Sequence, residues 1–146
     1  MPAARPTRTV AQKMGVAPGS RAHLCGAPAT ATAAMDLPDL DLPEQLGGEF
    51  DYLHLFTTRQ HEMRAAFPDL RDHLRPGGML WVSWPKGGRL GTDLTIKSVI
   101  AIGYELGMVE STCLRIDDVW AGLKFTHPKP GKVYANSYGT LPEAAP

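Results

Sequence analysis

Two stretches decide the fold: FDYLHLF at Phe50–Phe56 and LRPGGMLWVSW at 74–84. The first is a near-continuous apolar run with three aromatics, bounded by Gly47-Gly48 and Thr57-Thr58. The second carries the apolar run MLWVSW, bounded by RPGG and Pro85. Runs of this kind read as strands buried on both faces. Between them Met63, Phe67, Leu70 and Leu74 form one stripe of a helix. Pro68 falls inside the stripe and is expected to start a second helical piece, where no amide bond is lost. Strand, helix and strand in that order imply parallel pairing with a crossover.

Moving outward, Leu94, Ile96, Val99, Ile100, Ile102 and Leu106 supply the apolar face of another helix. Thr92 or Asp93 is expected to cap it and Gly107 to end it. Residues 109–116 and 119–126 read as two strands of a hairpin, with Asp117-Asp118 between them. On the N-terminal side a short helix is expected at 10–14, ended by Gly15. A first strand follows at 20–25, stopped by Gly26 and Pro28. Residues 29–35 can form a short helix, while PDLDLPE at 38–44 reads as loop. The predicted class is α/β: a three-layer, Rossmann-like sandwich with a mostly parallel sheet and a C-terminal antiparallel hairpin at or near its edge. The domain is expected to span 10–127, with a disordered arm at 1–9 and a flexible tail at 128–146.

The 146 residues suit one domain. Lys and Arg number 15 and Asp and Glu also 15, which argues against a nucleic acid as partner. The charge is uneven. Residues 1–35 hold four bases and no acid, whereas 36–51 hold six acids and no base. Cys25 and Cys113 form no disulfide framework and no metal motif, so no metal is expected. No apolar run is long enough to span a membrane and no signal peptide is legible, which predicts a soluble, cytoplasmic protein without a membrane partner.

The phrases FDYLHLF, LRPGGMLWVSW, YELGM and WAGLKF, in that order, resemble the C-terminal half of the S-adenosylmethionine-dependent methyltransferase fold. The wording LWVSWPK (80–86), TDLT (92–95) and IDDVWAGLKF (116–125) is more closely similar to an uncharacterised bacterial family, catalogued only as domain of unknown function 3052. That resemblance covers about residues 10–127 and implies a fold without an activity. The methyltransferase resemblance implies a glycine-rich loop after the first strand, where backbone approaches the cofactor. Here LCGAPATAT (24–32) has Gly26 alone and no preceding acid. The implied acid at the end of a second strand, which would hold the ribose, has no counterpart; Asp36, Asp39 and Asp41 lie nearby without a strand before them. After Phe56 stand Thr57-Thr58, not the motif of amino-group methylation. These departures argue against S-adenosylmethionine as the cofactor. The leading expectation is therefore a non-catalytic, methyltransferase-like domain that binds a small molecule or a protein partner. A divergent methyltransferase using Gly26 and residues 29–45 is one alternative. An anion- or nucleotide-binding module built on the Lys86 loop is another.

Ligands of open α/β sheets bind outside the carboxyl ends of the strands. That edge comprises 25–28, 56–59, 84–91 and 116–118. In WPKGGRLGTD (84–93), Lys86, Gly87, Gly88 and a helix start near Asp93 are the parts of an anion site, although Asp93 would oppose an anion. Trp84 and Trp120 are candidates for an aromatic wall, or else residues at the edge of the core. Lys86 is expected within roughly 15 Å of Trp120, about three strand spacings. Asp118 joins Asp117 in the hairpin turn on the same edge. Lys124, inside a strand, snorkels to solvent, pairs with a buried acid or reaches the pocket. His54 reads as a hydrogen-bonded core histidine. Ser83 lacks a nucleophile elbow, and His61 and His73 make no metal pair.

Overall fold

The computed structural model describes residues 8–142, so the ends of the expected arm and tail, 1–7 and 143–146, lie outside the described residues. The chain order is α1 (Val10–Met14), β1 (Ala22–Cys25), α2 (Ala29–Met35), β2 (Phe50–Phe56), α3 (Gln60–Asp72), β3 (Leu74–Pro85), α4 (Ile96–Glu105), β4 (Val109–Arg115) and β5 (Trp120–Thr126). A 3-10 turn at Lys86–Gly91 links β3 towards α4.

The five strands lie in the order β1-β2-β3-β5-β4. β1 pairs with β2 and β2 with β3 in parallel. β5 is antiparallel to both of its neighbours, β3 and β4. The expectation of a mostly parallel sheet is thus corrected to a mixed one, because β5 turns back between β3 and β4 and converts two of the four pairings.

Side chains alternate across this sheet and build two cores. Phe50, Leu53, Leu55, Leu80, Val82 and Phe125 pack with Met63, Phe67 and Leu70 of α3 and Val99 and Ile102 of α4. On the other face Tyr52, Phe56, Met79 and Trp81 pack with Met14 of α1 and Ala31 and Met35 of α2. Helices therefore cover both faces, which is why β2 and β3 read as unbroken apolar runs. Phe50 and Tyr52 face opposite sides because β2 bulges between them, where the amides of Asp51 and Tyr52 both donate to the Arg21 carbonyl.

α3 is one continuous helix with Pro68 inside it, not two pieces. An interior proline costs about 3 kcal/mol. Met63 and Phe67 before it and Leu70 after it are all buried, and their burial is worth about 1.5–3 kcal/mol each, which outweighs that cost. α4 starts later than expected. Thr95 caps it in a reciprocal box with Ser98, and neither Thr92 nor Asp93 does so. α1 likewise has a capping box, Thr9 with Gln12, and ends at Gly15 in the left-handed region. Residues 128–142 form no helix or strand but lie against the body. Tyr134 and Leu141 pack on the α3/α4-side core, and Asn136 donates to Glu110 at 2.7 Å. No helix among the described residues is long and apolar enough to cross a membrane.

Three polar groups are buried together on the α1/α2 face. The Tyr52 hydroxyl is 2.6 Å from His54 Nδ1, and His54 Nε2 is 2.7 Å from Ser83 Oγ. A neutral imidazole has one donor and one acceptor nitrogen, and either hydroxyl can meet either need. His54 also stacks on Phe56 at 4.3 Å. Burial pushes its pKa down to about 3.

Two stability predictions follow from this packing. Above about pH 6.5, His54 is neutral folded and unfolded, so it has no effect. Between about 6.5 and about 3 only the unfolded chain takes up the proton, so stability is lost as pH is lowered, by up to about 1.4 kcal/mol per unit. Urea titrations of wild type and His54→Phe across that range should show the slope flattened in the variant; parallel slopes would mean that the imidazole titrates freely. Gly103 of α4 packs so closely on Phe125 that an added Cβ would overlap the ring. Gly103→Ala should therefore destabilise by about 2 kcal/mol, although helix propensity alone favours alanine by about 1 kcal/mol. A raised melting temperature in that variant would contradict the packing.

Candidate functional site

Four segments meet at the carboxyl ends of the strands and are tied by hydrogen bonds. Gly26 leaves β1 with φ +71°, and a Cβ there would stand 2.9 Å from the Phe56 carbonyl oxygen. Only glycine tolerates both conditions, so the β1–α2 turn sits hard against the end of β2. The Thr57 amide donates to the Ser83 carbonyl at 3.0 Å. Thr92 Oγ1 donates to the Thr58 carbonyl at 2.6 Å. The Lys86 amide donates to the Val119 carbonyl at 2.8 Å.

The loop after β3 is a clamp across this edge. Lys86 Nζ donates to the Asp117 carbonyl at 3.0 Å, and Arg89 donates to the Asp118 carbonyl. Asp93 Oδ1 accepts the Gln60 amide at 2.8 Å, capping α3, whose Arg59 offers no side-chain cap. Gly87, Gly88, Leu90 and Gly91 all have left-handed φ. For Leu90 this costs roughly 1–2 kcal/mol, and its side chain is 66% exposed. The Asp117 carboxylate accepts the amides of Val119 and Trp120 at 2.8 and 2.7 Å, closing the β4–β5 turn. Asp118 is exposed and pairs with Arg115 at 3.4 Å.

Lys86, Gly87, Gly88, Asp93, Asp118 and the start of β5 at Trp120 thus share one edge. The aromatic wall does not form. Trp84 pairs with Ala121 and Pro85 with Trp120, so the two indoles point to opposite faces. Both are buried, Trp84 in the α3/α4-side core and Trp120 edge-on to Phe56 in the other. Lys124 lies away from the edge. It lines a cavity of about 210 Å³ with Ser20, Asp51, Arg75 and Thr126, near the amino ends of β2 and β3. There Asp51 accepts the Arg21 amide and pairs with Arg75, and its carboxyl lies below the usual range, chiefly through that amide bond.

Two cavities open at or beside the edge. One, of about 440 Å³, is lined by Trp84, Lys86, Gly87, Gly88, Leu94, Thr95, Ile96, Cys113 and Ala121. Burial, helped by Glu110, pushes the Cys113 thiol pKa up. The other, of about 480 Å³, follows the outer side of β1 and is lined by His23, Leu24, Thr32, Leu37, Leu42 and Glu44, among others. Sequence reasoning missed it because it took 38–44 for loop. Asp41 makes a parallel bridge with Arg21, so the chain there is a one-residue strand running beside β1. Leu40-Asp41-Leu42 carries the only sign of it, an alternation too short to stand out between prolines. The Tyr52–His54–Ser83 chain was missed in part: Tyr52 and His54, two apart on one strand, share a face.

No family model matches the chain, and no curated protein is significantly similar to it. The resemblance to domain of unknown function 3052 therefore has no support from that side. Solved structures are similar in fold. A magnesium protoporphyrin IX methyltransferase from Synechocystis PCC 6803 with bound SAH (S-adenosylhomocysteine) aligns at TM-score 0.55 and 15% identity, over 82% of this chain and 80% of that one. A methyltransferase from Pyrococcus furiosus aligns at 0.52 and 15%, over 77% of each. LepI in complex with SAM (S-adenosylmethionine) aligns at 0.51 and 13%, over 82% of this chain and 39% of that one. The fold is methyltransferase-like. The expectation that S-adenosylmethionine is not the cofactor is corrected here: among the structures that share this fold, one holds SAH and another holds SAM.

The turn chemistry of the edge is testable. Asp117→Ala leaves the amides of Val119 and Trp120 without their acceptor and should cost about 1–2 kcal/mol. Asp118→Ala, an exposed position, should cost less than about 0.5 kcal/mol. Denaturant midpoints that rank the two variants the other way would refute this account of the turn.

Proposed function

We propose that the chain is a divergent S-adenosylmethionine-dependent methyltransferase acting on a small molecule, rather than a non-catalytic domain. The observation that carries this reading is the pairing of a cofactor-bound methyltransferase fold with a glycine turn and an acid at its β1 edge. Gly26 turns the chain from β1 into α2 beside the end of β2. The stub at Asp41 runs parallel to β1, and Glu44 follows it three residues on, at the cavity along β1.

The residues present fit the adenosyl compound. Glu44 has two carboxylate oxygens for the ribose hydroxyls, a pairing that needs no second protein group. Leu24, Leu37 and Leu42 offer apolar surface for the base, with Thr32 as a polar neighbour. The backbone of residues 26–28, at the turn out of β1, would hold the amino-acid end. When bound, the cofactor supplies a methyl group on a cationic sulfur. Membership of domain of unknown function 3052 belongs to the same proposal and rests on LWVSWPK, TDLT and IDDVWAGLKF alone.

Calorimetry with S-adenosylmethionine and S-adenosylhomocysteine tests the reading. Dissociation constants in the micromolar range are expected, and Glu44→Gln should weaken both by about tenfold, or roughly 1.4 kcal/mol. Gly26→Val should abolish binding, with Glu44→Gln the informative variant if the valine protein does not fold. Folded wild-type protein that binds neither compound at about 1 mM, some 4 kcal/mol of affinity, would end the proposal.

A further inference from the structure

The cavity between β5 and the start of α4 is distinct from the groove along β1. Its floor is Trp84, Leu94 and Ala121, all buried, and Lys86, Gly87 and Gly88 form its rim. Ile96 completes the wall. It is the first residue of α4, a position that suits polar and acidic side chains, yet it is apolar and 41% exposed. The lining has one cation, Lys86, and no acid. Lys86 Nζ spends one N–H on the Asp117 carbonyl, which anchors the ammonium at the rim and leaves two donors free.

We infer that this cavity binds a small apolar molecule bearing a single carboxylate. The apolar floor takes the body, and the lysine takes the charge at the wet rim. One ammonium balances a monoanion. A phosphate dianion would stay under-neutralised in a lining with no other charged donor. A cationic ligand would meet Lys86 with no acid to offset it. The inference does not require the cofactor reading, although the cavity lies at the same carboxyl edge.

Octanoate, octan-1-ol and octylamine share one chain and differ in the head group. Titrated calorimetrically into the full chain without any adenosyl compound, octanoate should bind at least about tenfold more tightly than octan-1-ol, and octylamine more weakly still. Lys86→Met should erase the advantage of octanoate over octan-1-ol, and Lys86→Arg should keep it. Ile96→Asp suits the helix N-terminus and should fold, yet it should weaken octanoate by about tenfold or more. Equal binding of octanoate and octan-1-ol by wild type overturns the inference. So does octanoate affinity unchanged in Ile96→Asp, or no octanoate binding at all. The cofactor titration is a separate measurement on the same protein, so either reading can fail alone.

Discussion

The site depends on the double pairing of β3. On one side β3 runs parallel to β2, and on the other antiparallel to β5. Parallel pairing puts the end of β2 beside the end of β3. Antiparallel pairing puts the start of β5 there too, so Pro85 meets Trp120 and the Lys86 amide reaches the Val119 carbonyl. Had β5 run parallel, Asp117 and Asp118 would lie at the opposite end of the sheet. The clamp loop would then have no carbonyl to hold. The buried hydrogen-bond chain from Tyr52 through His54 to Ser83 joins β2 to β3 inside the core and leaves little room for a slipped register.

Much of this was legible wherever burial leaves a pattern. The central strands are covered on both sides, and the runs FDYLHLF and MLWVSW carry that directly. Gly15 and Gly26 punctuate α1 and β1 because each takes a left-handed φ. Local rules failed where tertiary contacts outweigh them. Pro68 is a breaker by propensity, but three buried apolar neighbours hold α3 through it. Asp93 has the chemistry of a cap and serves as one, but for α3 rather than α4, across 33 residues of sequence. Nothing local distinguishes those two partners. The tryptophan wall failed for a different reason. Trp84 and Trp120 do share an edge, but which face each indole takes depends on the register of β3 against β5, and sequence does not carry that.

Glycine count and an acid after a full strand are weak criteria for this fold. One glycine suffices where one close approach occurs, and Gly26 makes it against the Phe56 carbonyl. An acid need not follow a full strand if a stub can present it. The bridge at Asp41 involves a single residue pair, below what periodicity can detect.

That stub also leaves most of β1 without a paired strand on its outer side. β1 is an outermost strand, and beyond Arg21 no strand covers its outer side among the described residues. An open sheet edge is a template for adding another chain. With fifteen charges of each sign the molecule has no overall repulsion to keep copies apart. The acids at 36, 39, 41 and 44 flank this edge, so two copies approaching edge to edge bring like charge against like. The guard is electrostatic and short-ranged: the screening length is about 8 Å at 0.15 M salt and about 3 Å at 1 M. Repulsion between copies at this one edge therefore weakens as ionic strength rises.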